Sequence, residues 1–312
     1  MRSGFVTIVG RPNAGKSTLL NTLVGEKLAI VTHKPQTTRN RLHGIVNLPK
    51  AKTRPKAQIV LIDTPGVHKA DTRLDKNMMQ EVHEALGGSD LILLITDVTQ
   101  RFGTGEKFVI ELIKRSATPA ILLLNKIDLV DKRKLLSVIQ TWSNEHEFRE
   151  IIPISALKKD NLELVLEAAV KNLPEGKAIF PEDQLTDIPV RFMVAEAIRE
   201  QVLLNAGEEV PYAAAVVIER FEEGRKLDRI AAMIYCEREG QKAILIGKGG
   251  QMLKKIGTAA RLEIERMLDK KVFLELFVKM RPNWRDSAAF VESLDWRRQL
   301  AEMAHAAASV EA

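Results

Sequence analysis

Eight residues near the start of the chain, Gly10-Arg11-Pro12-Asn13-Ala14-Gly15-Lys16-Ser17, carry the spacing G-x-x-x-x-G-K-S between an apolar run at 5–9 and a helical stretch at 18–24. A loop of this kind aims backbone N–H groups at an anion, with a helix N-terminus behind them. Lys16 would reach β- and γ-phosphate oxygens, Ser17 would offer its hydroxyl to Mg2+, and Thr18 completes the nucleotide-binding set. Taken alone the loop could be a glycine turn with an incidental lysine, but the strand before it and the helix after it match the phosphate-binding context. A second motif, Asp63-Thr64-Pro65-Gly66, closes the apolar run at 58–62. Its carboxylate can hold magnesium through water and its glycine amide can meet a γ-phosphate. The same four residues also suit an ordinary turn.

The base is chosen by a third motif, Asn125-Lys126-Ile127-Asp128, after the apolar run at 121–124. The Asp128 carboxylate can accept hydrogen bonds from both N1–H and the exocyclic amine of guanine, whereas adenine would turn a lone pair toward it. A buried polar mismatch costs several kcal/mol, on the order of 10⁴-fold in discrimination. Ser155-Ala156, after the run at 150–154, would offer an amide to guanine O6. Between the first two motifs, Lys34-Pro35-Gln36-Thr37-Thr38-Arg39-Asn40 is a polar loop of the kind that closes on magnesium and a γ-phosphate and releases after hydrolysis. Thr38 is the candidate hydroxyl, with Thr37 the competitor. Val67 stands where Ras-like GTPases place a water-orienting glutamine, and a valine cannot polarise water. Slow intrinsic hydrolysis is therefore expected, with another source of positive charge in the transition state. Asn13 is a candidate ligand for K+ in that role. Lys16, Thr38, Asp63 and Gly66 are the expected catalytic residues, acting by positioning and electrostatics.

These motifs need elements to hold them. Apolar runs at 5–9, 58–62, 91–96, 120–124 and 150–154 alternate with amphipathic, helix-length segments to about Leu173, which predicts parallel strands with crossover helices. The near-continuous apolar character of 91–95 and 121–124 suits strands buried on both faces. Each motif then lies at the C-terminal end of a strand, where open α/β sheets bind ligands.

The chain has 312 residues, about two domains' worth, and a formal charge of +6 that suggests a polyanionic partner. One cysteine excludes an intrachain disulfide, and His33, His43, His68, His83, His146 and His305 never fall at the close spacings of a zinc site. Met1 to Gly10 has neither a charged leader nor a membrane-length apolar run, so a cytoplasmic protein is expected. Two prolines in the polar stretch after Leu173 mark a linker. The expected division is 1–175 for the nucleotide domain, 176–188 for the linker, 189–285 for a second domain and 286–312 for a helical tail.

The second domain has a different rhythm: a helix at 190–204, strands at 212–221 and 228–236, a short helix near 242–246, a longer one at 252–268 and a strand at 272–280. Gly247-Lys248-Gly249-Gly250 is a G-x-x-G loop between the two later helices, followed by Lys254-Lys255 in a basic segment. A lone G-x-x-G is more often a plain helix–turn–helix loop. This order of elements instead fits a KH domain, whose loop clamps about four nucleotides while Lys or Arg neutralise phosphates.

With Gln36-Thr37-Thr38-Arg39 and this second domain, the chain resembles the Era family of translation-factor-related GTPases over nearly its whole length. The resemblance implies an α/β P-loop GTPase domain, its sheet mostly parallel with helices on both faces, and an α+β KH type II domain. It also implies GTP and GDP as ligands, Mg2+ held with Ser17 and Thr38, binding to the tail of small-subunit (16S-type) ribosomal RNA, and a role in small-subunit assembly. A monomer is expected, with the inner membrane surface a candidate peripheral contact. The stretch 48–56 departs from the family, being a long basic connection where a tight hairpin is usual. It reads as a solvated loop, with ribosomal RNA or a membrane surface as the other contacts considered. Three rivals remain: another translation-factor-related GTPase, a P-loop phosphotransferase, for which neither an acceptor pocket nor an Arg-rich lid is found, and a passive RNA-binding protein with a vestigial nucleotide site.

Overall fold

A computed structural model describes residues 1–300 apart from Pro35, Glu208 and Gln299, so the end of the expected 286–312 tail lies outside the described residues. The chain divides into two compact units, Met1–Ala70 with Met78–Asp187, and Asp71–Asn77 with the residues from Ile188 onward.

The first unit runs β1 (Arg2–Val9), α1 (Lys16–Val24), β2 (Leu42–Leu48), β3 (Ala57–Asp63), α2 (Arg73–Gly87), β4 (Leu91–Asp97), α3 (Thr104–Ser116), β5 (Ala120–Asn125), α4 (Lys132–Ser143), β6 (Ile151–Pro153) and α5 (Leu162–Asn172). The strands form one sheet in the order β2-β3-β1-β4-β5-β6, parallel except where β2 pairs antiparallel with β3. The continuous apolar runs become the central strands: Ile92, Leu93, Leu122, Leu123 and Leu124 have no exposed surface. Strands covered on both faces have no polar face to show, which is why their sequence does not alternate.

The basic connection at 49–56 leaves the hairpin intact, contrary to the disturbance its length suggests. β2 and β3 pair from Leu42↔Asp63 to Leu48↔Ala57 without a break. The loop is closed by Ala51 N–H donating to the Arg54 carbonyl (2.9 Å) and by the Arg54 guanidinium on the Pro49 carbonyl (2.7 Å).

The stretch expected as a linker is bound along this hairpin. Ile45 N–H donates to Leu185 O (2.8 Å), Thr186 Oγ1 to His43 O (2.6 Å) and Asn47 Nδ2 to Glu182 O (2.8 Å). Gln58, fully buried, supplies the clamp: its Oε1 accepts from the N–H groups of Ile179 (2.6 Å) and Phe180 (2.9 Å), and its Nε2 donates to Phe180 O (2.8 Å). Proline-rich polar composition reads as a free linker, but a buried glutamine can satisfy such a segment's backbone and so fix its path.

The second unit runs α6 (Val190–Asn205), β7 (Ala215–Glu222), β8 (Leu227–Cys236), α7 (Glu239–Ile246), α8 (Gln251–Leu268), β9 (Lys271–Met280) and α9 (Ala288–Ser293). β7 and β8 are antiparallel, while β8 and β9 are parallel, the α7–α8 pair serving as the crossover a parallel neighbour requires. Ile198 and Val202 of α6 and Ile256, Ala260 and Ile264 of α8 pack on Ile230 and Ile234 of β8, all with no exposed surface. Beyond β9 the chain folds back: fully buried Trp284 donates its indole N–H to Ala213 O (2.8 Å), and Phe290 packs edge-on to it.

Candidate functional site

The residues expected to bind phosphate occupy the turn from β1 into α1. Gly15 has φ +102, and a Cβ there would lie 2.3 Å from Asn125 Nδ2, so only glycine fits. α1 starts at Lys16, placing the helix N-terminus under the loop. The Lys16 ammonium is buried and bonds the carbonyls of Gly10 (3.2 Å) and Arg11 (3.0 Å). Burial lowers its pKa to about 8 against the opposing pull of Asp63. Arg11 turns away to Glu106 at 2.9 Å.

Ser17, Thr38 and Asp63 converge. Ser17 Oγ and Thr38 Oγ1 both donate to Asp63 Oδ2 (2.7 and 3.1 Å) and lie 3.0 Å from each other. Asp63 has no exposed surface, and its Oδ1 is buried without a hydrogen-bond partner. Burial pushes its carboxyl up, opposed by Lys16 and by the two hydroxyls. Thr38 is buried while Thr37 is partly exposed, which separates the two threonines that the sequence left as competitors. After β3, Thr64 Oγ1 donates to Ile8 O (2.8 Å) and Val67 N–H to Gly10 O (3.1 Å), tying the Asp63–Val67 segment to the phosphate loop. A Cβ at Gly66 would meet Pro12 within 3 Å, so this backbone lies against the loop. The Val67 side chain is buried with Val82, Ile92 and Val109.

Asn125, at the end of β5, joins two of the motifs. Its Nδ2 donates to Ala14 O (2.8 Å) and its Oδ1 accepts from Ala156 N–H (2.9 Å). Lys126 has φ +68 and its ammonium reaches Asp97 Oδ2 at 2.6 Å. Asp128 follows on an exposed one-turn 3-10 helix, and Ser155 is buried with its Oγ accepting from Lys158 N–H (3.1 Å). Asp97 was missed in the sequence, although it ends β4 in register with Asn125. Burial alone would raise its carboxyl, but bonds from Lys126 and Thr99 outweigh it and hold the carboxyl below its usual range. A strand-end aspartate beside the two recognised strand-end motifs was the available signal.

In the second unit, Gly247 (φ +71) turns α7 toward α8 with its backbone against Met252, Lys248 and Gly249 form the exposed tip, and Gly250 is partly covered. Alongside runs a groove lined by Gly250, Leu253, Lys254 and Arg261 of the loop and α8, and by Leu274 and Leu276 of β9. A Cβ at Gly257 would lie 3.2 Å from Leu276 Cδ1, so the glycine lets α8 approach the strand closely. Lys254 and Arg261 are seven residues apart, two helical turns, and share the groove face. Lys255 lies about 100° round the helix and is exposed outside the groove lining. Arg261 was missed by sequence reasoning, and its spacing from Lys254 is the signal that would have found it.

A glycine-bearing loop of phosphate-binding spacing, an aspartate-centred cluster and an Asn-Lys-Ile-Asp tetrapeptide at the strand ends of a mostly parallel sheet, joined to a G-x-x-G unit, define a P-loop GTPase with a KH domain. Family comparison agrees: residues 5–126 match the 50S ribosome-binding GTPase model, and residues 209–285 match the KH domain model. The chain is 48% identical over 297 residues to GTPase Era of Ruminiclostridium cellulolyticum and equally so to that of Geobacter metallireducens, covering 95% of this chain and 98% of each relative. Two solved structures superpose with TM-scores of 0.90 at 39% identity, covering 95% of this chain and 99% of theirs. One is an Era variant of Aquifex aeolicus bound to GDP and AlF4⁻, the other Era in complex with MgGDPNP and nucleotides 1506–1542 of 16S ribosomal RNA. The chain belongs to the Era GTPase family.

Proposed function

We propose that this GTPase is a switch that binds small-subunit 16S ribosomal RNA through its KH unit and assists assembly of the small subunit. The observation that carries the switch is the convergence of Thr38, from the loop before β2, on Ser17 and Asp63 beneath the phosphate loop. A hydroxyl from a separate loop held at that point can be recruited by a γ-phosphate and released with it.

The residues fit Mg2+. The unpartnered buried Asp63 Oδ1 and the two hydroxyls are hard oxygen donors, and among the described residues no cluster of three or more His, Cys, Asp or Glu competes for a metal. So few protein ligands leave positions for phosphate oxygens and water, as magnesium sites in nucleotide enzymes do. When bound, the ion neutralises charge developing on the phosphates. The chain's own part is positional. Loop amides from Asn13 to Ser17 hold the phosphates, Lys16 carries the charge nearest the γ-phosphate, and the Gly66 amide holds the far side. Asp128 fixes the base as guanine. Val67, buried in the core, leaves the attacking water without a side-chain orienter from that position. Slow turnover in the absence of a partner follows.

Asn13 gives its Nδ2 to His33 O (3.0 Å), leaving its amide oxygen to take a cation. We propose K+ there as the missing positive charge. Two further readings are also proposals: peripheral contact of the 48–56 loop with the inner face of the membrane, tested by sedimentation with anionic vesicles, and a monomeric state, tested by light scattering. None of the described helices is long and apolar enough to cross a membrane.

GTP turnover by the purified protein, with ATP as control, with and without 16S ribosomal RNA and in potassium or sodium, tests the reading. GTP-specific turnover that changes with the RNA is expected. RNA-independent turnover would sever the two activities, and equal rates in both salts would remove the potassium ligand.

A further inference from the structure

Lys126 holds a backbone conformation that its residue type does not favour. A φ of +68 is seldom adopted by side chains other than Asn, Asp and His, and such strain persists only where the surroundings impose it. Here both ends of the side chain are fixed. At its root, the Lys126 carbonyl accepts from Leu129 N–H (3.0 Å) and the preceding Asn125 carbonyl from Val98 N–H (3.1 Å). At its tip, the ammonium meets Asp97 Oδ2 at 2.6 Å. Asp97 is itself held in place: its Oδ1 accepts from the Thr99 N–H (2.9 Å) and hydroxyl (2.7 Å), and its side chain is only 12% exposed. The two ends belong to different strands. β4 stands between β1, which leads into the phosphate loop, and β5, which leads into the tetrapeptide at 125–128. A side chain rooted at the end of β5 and anchored at the end of β4 therefore runs along the strand ends, from the base side toward the phosphate side. Neighbouring strands are about 4.8 Å apart, a gap that a lysine stem spans.

We infer that Asp97 is a positioning residue of the nucleotide site: by anchoring the Lys126 ammonium, it lays the lysine stem across the strand ends as an apolar ledge for the flat face of the purine. This ledge presupposes the reading of Asp128 as the base selector. The two carboxylates then divide the task. Asp128 meets the hydrogen-bonding edge of the base, while Asp97, which does not touch the nucleotide, sets the surface beneath it. A lysine stem is apolar although its head is charged, so it can cover a base while the ammonium stays paired. A free lysine also has more rotamer freedom to lose than most side chains. Pairing with Asp97 removes that freedom before a nucleotide arrives, and affinity rises by the ordering that binding no longer has to supply.

The test is a double-mutant cycle on the full-length protein. Asp97→Asn keeps an acceptor oxygen for Thr99, and with it the turn after β4, but removes the charge that faces Lys126. Lys126→Met keeps a stem of nearly the same length without the ammonium. Each should weaken binding of a fluorescent GDP analogue about 10-fold, and the double variant should be no more than about twofold weaker than Lys126→Met alone, as for two residues acting through one contact. GDP and inosine diphosphate should weaken alike, because a ledge meets the face that both bases share. The single-turnover rate of bound GTP should stay within about twofold of wild type, since the phosphate end is untouched. Unchanged GDP affinity in Asp97→Asn overturns the inference. Additive losses do so as well, because Asp97 would then act on the nucleotide itself or only through its own turn, and so does a matching fall in single-turnover rate, the mark of a general disturbance of the strand ends. Asp128→Asn separates the underlying reading, since it should move preference toward xanthosine nucleotides where Asp97→Asn leaves preference as it is. If Asp128→Asn does not move it, the base-site assignment fails and the ledge with it; if it does while Asp97→Asn binds GDP normally, the ledge alone fails.

Discussion

Asn125→Ala should loosen guanine nucleotide binding without changing which base is preferred. The side chain is 3% exposed and makes two hydrogen bonds, to the Ala14 carbonyl in the phosphate loop and from the Ala156 amide beside the base site. Truncation orphans both backbone groups. A buried group left without its partner costs about 1–3 kcal/mol, and relaxation toward water recovers part of it, so the net loss to the assembled site is about 3 kcal/mol. At 1.4 kcal/mol per tenfold, that is roughly 100-fold in Kd. Because neither bond reaches the base edge, GTP, GDP and xanthosine nucleotides should weaken alike, mainly through faster dissociation. Titration with a fluorescent GDP analogue and stopped-flow displacement read both quantities. Asn125→Asp keeps the acceptor for Ala156 but sets a carboxylate oxygen against the Ala14 carbonyl, and should be no better. If Asn125→Ala folds normally and binds GDP within threefold of wild type, the idea that this side chain braces the two motifs is wrong.

Asp128→Asn should lower preference for GTP over xanthosine triphosphate by roughly 100-fold or more, measured by competition; unchanged preference would remove Asp128 as the base selector. At the loop tip, Gly249 has φ +58 and open space around it, so Gly249→Asp alters local charge and backbone freedom without a clash. RNA affinity should fall roughly 10-fold while GDP affinity holds, and equal RNA binding by both proteins would refute the clamp. Gln58→Leu leaves the backbone groups of Ile179 and Phe180 without the side chain that satisfies them, a loss of about 2–4 kcal/mol. Amide exchange over 179–186 should accelerate selectively, and retained protection there would show that the segment is held by something else.

The local record in the chain was enough for the fold of each unit. Unbroken apolar runs such as 91–95, too short for a helix and set between helix-length amphipathic segments, suit strands covered on both faces, and a glycine-rich loop between such a run and a helix has one common use. The expectation that Asp128 selects the base also rests on hydrogen-bond chemistry and its place after a strand. What periodicity cannot carry is which distant residues meet, because that depends on how faces pack. Thr37 and Thr38 are chemically alike, and only the path of their loop buries Thr38 against Asp63. Lys254 and Lys255 are adjacent in sequence, yet a rotation of about 100° along α8 puts one in the groove and the other outside it. The polar segment after Leu173 has the composition of a free linker, and nothing local announces that Gln58, more than a hundred residues earlier, accepts and donates its hydrogen bonds. Asn125 joins Ala14 to Ala156 for the same reason: buried backbone groups take whatever partner the packed sheet brings within reach, and only the tertiary structure decides which that is.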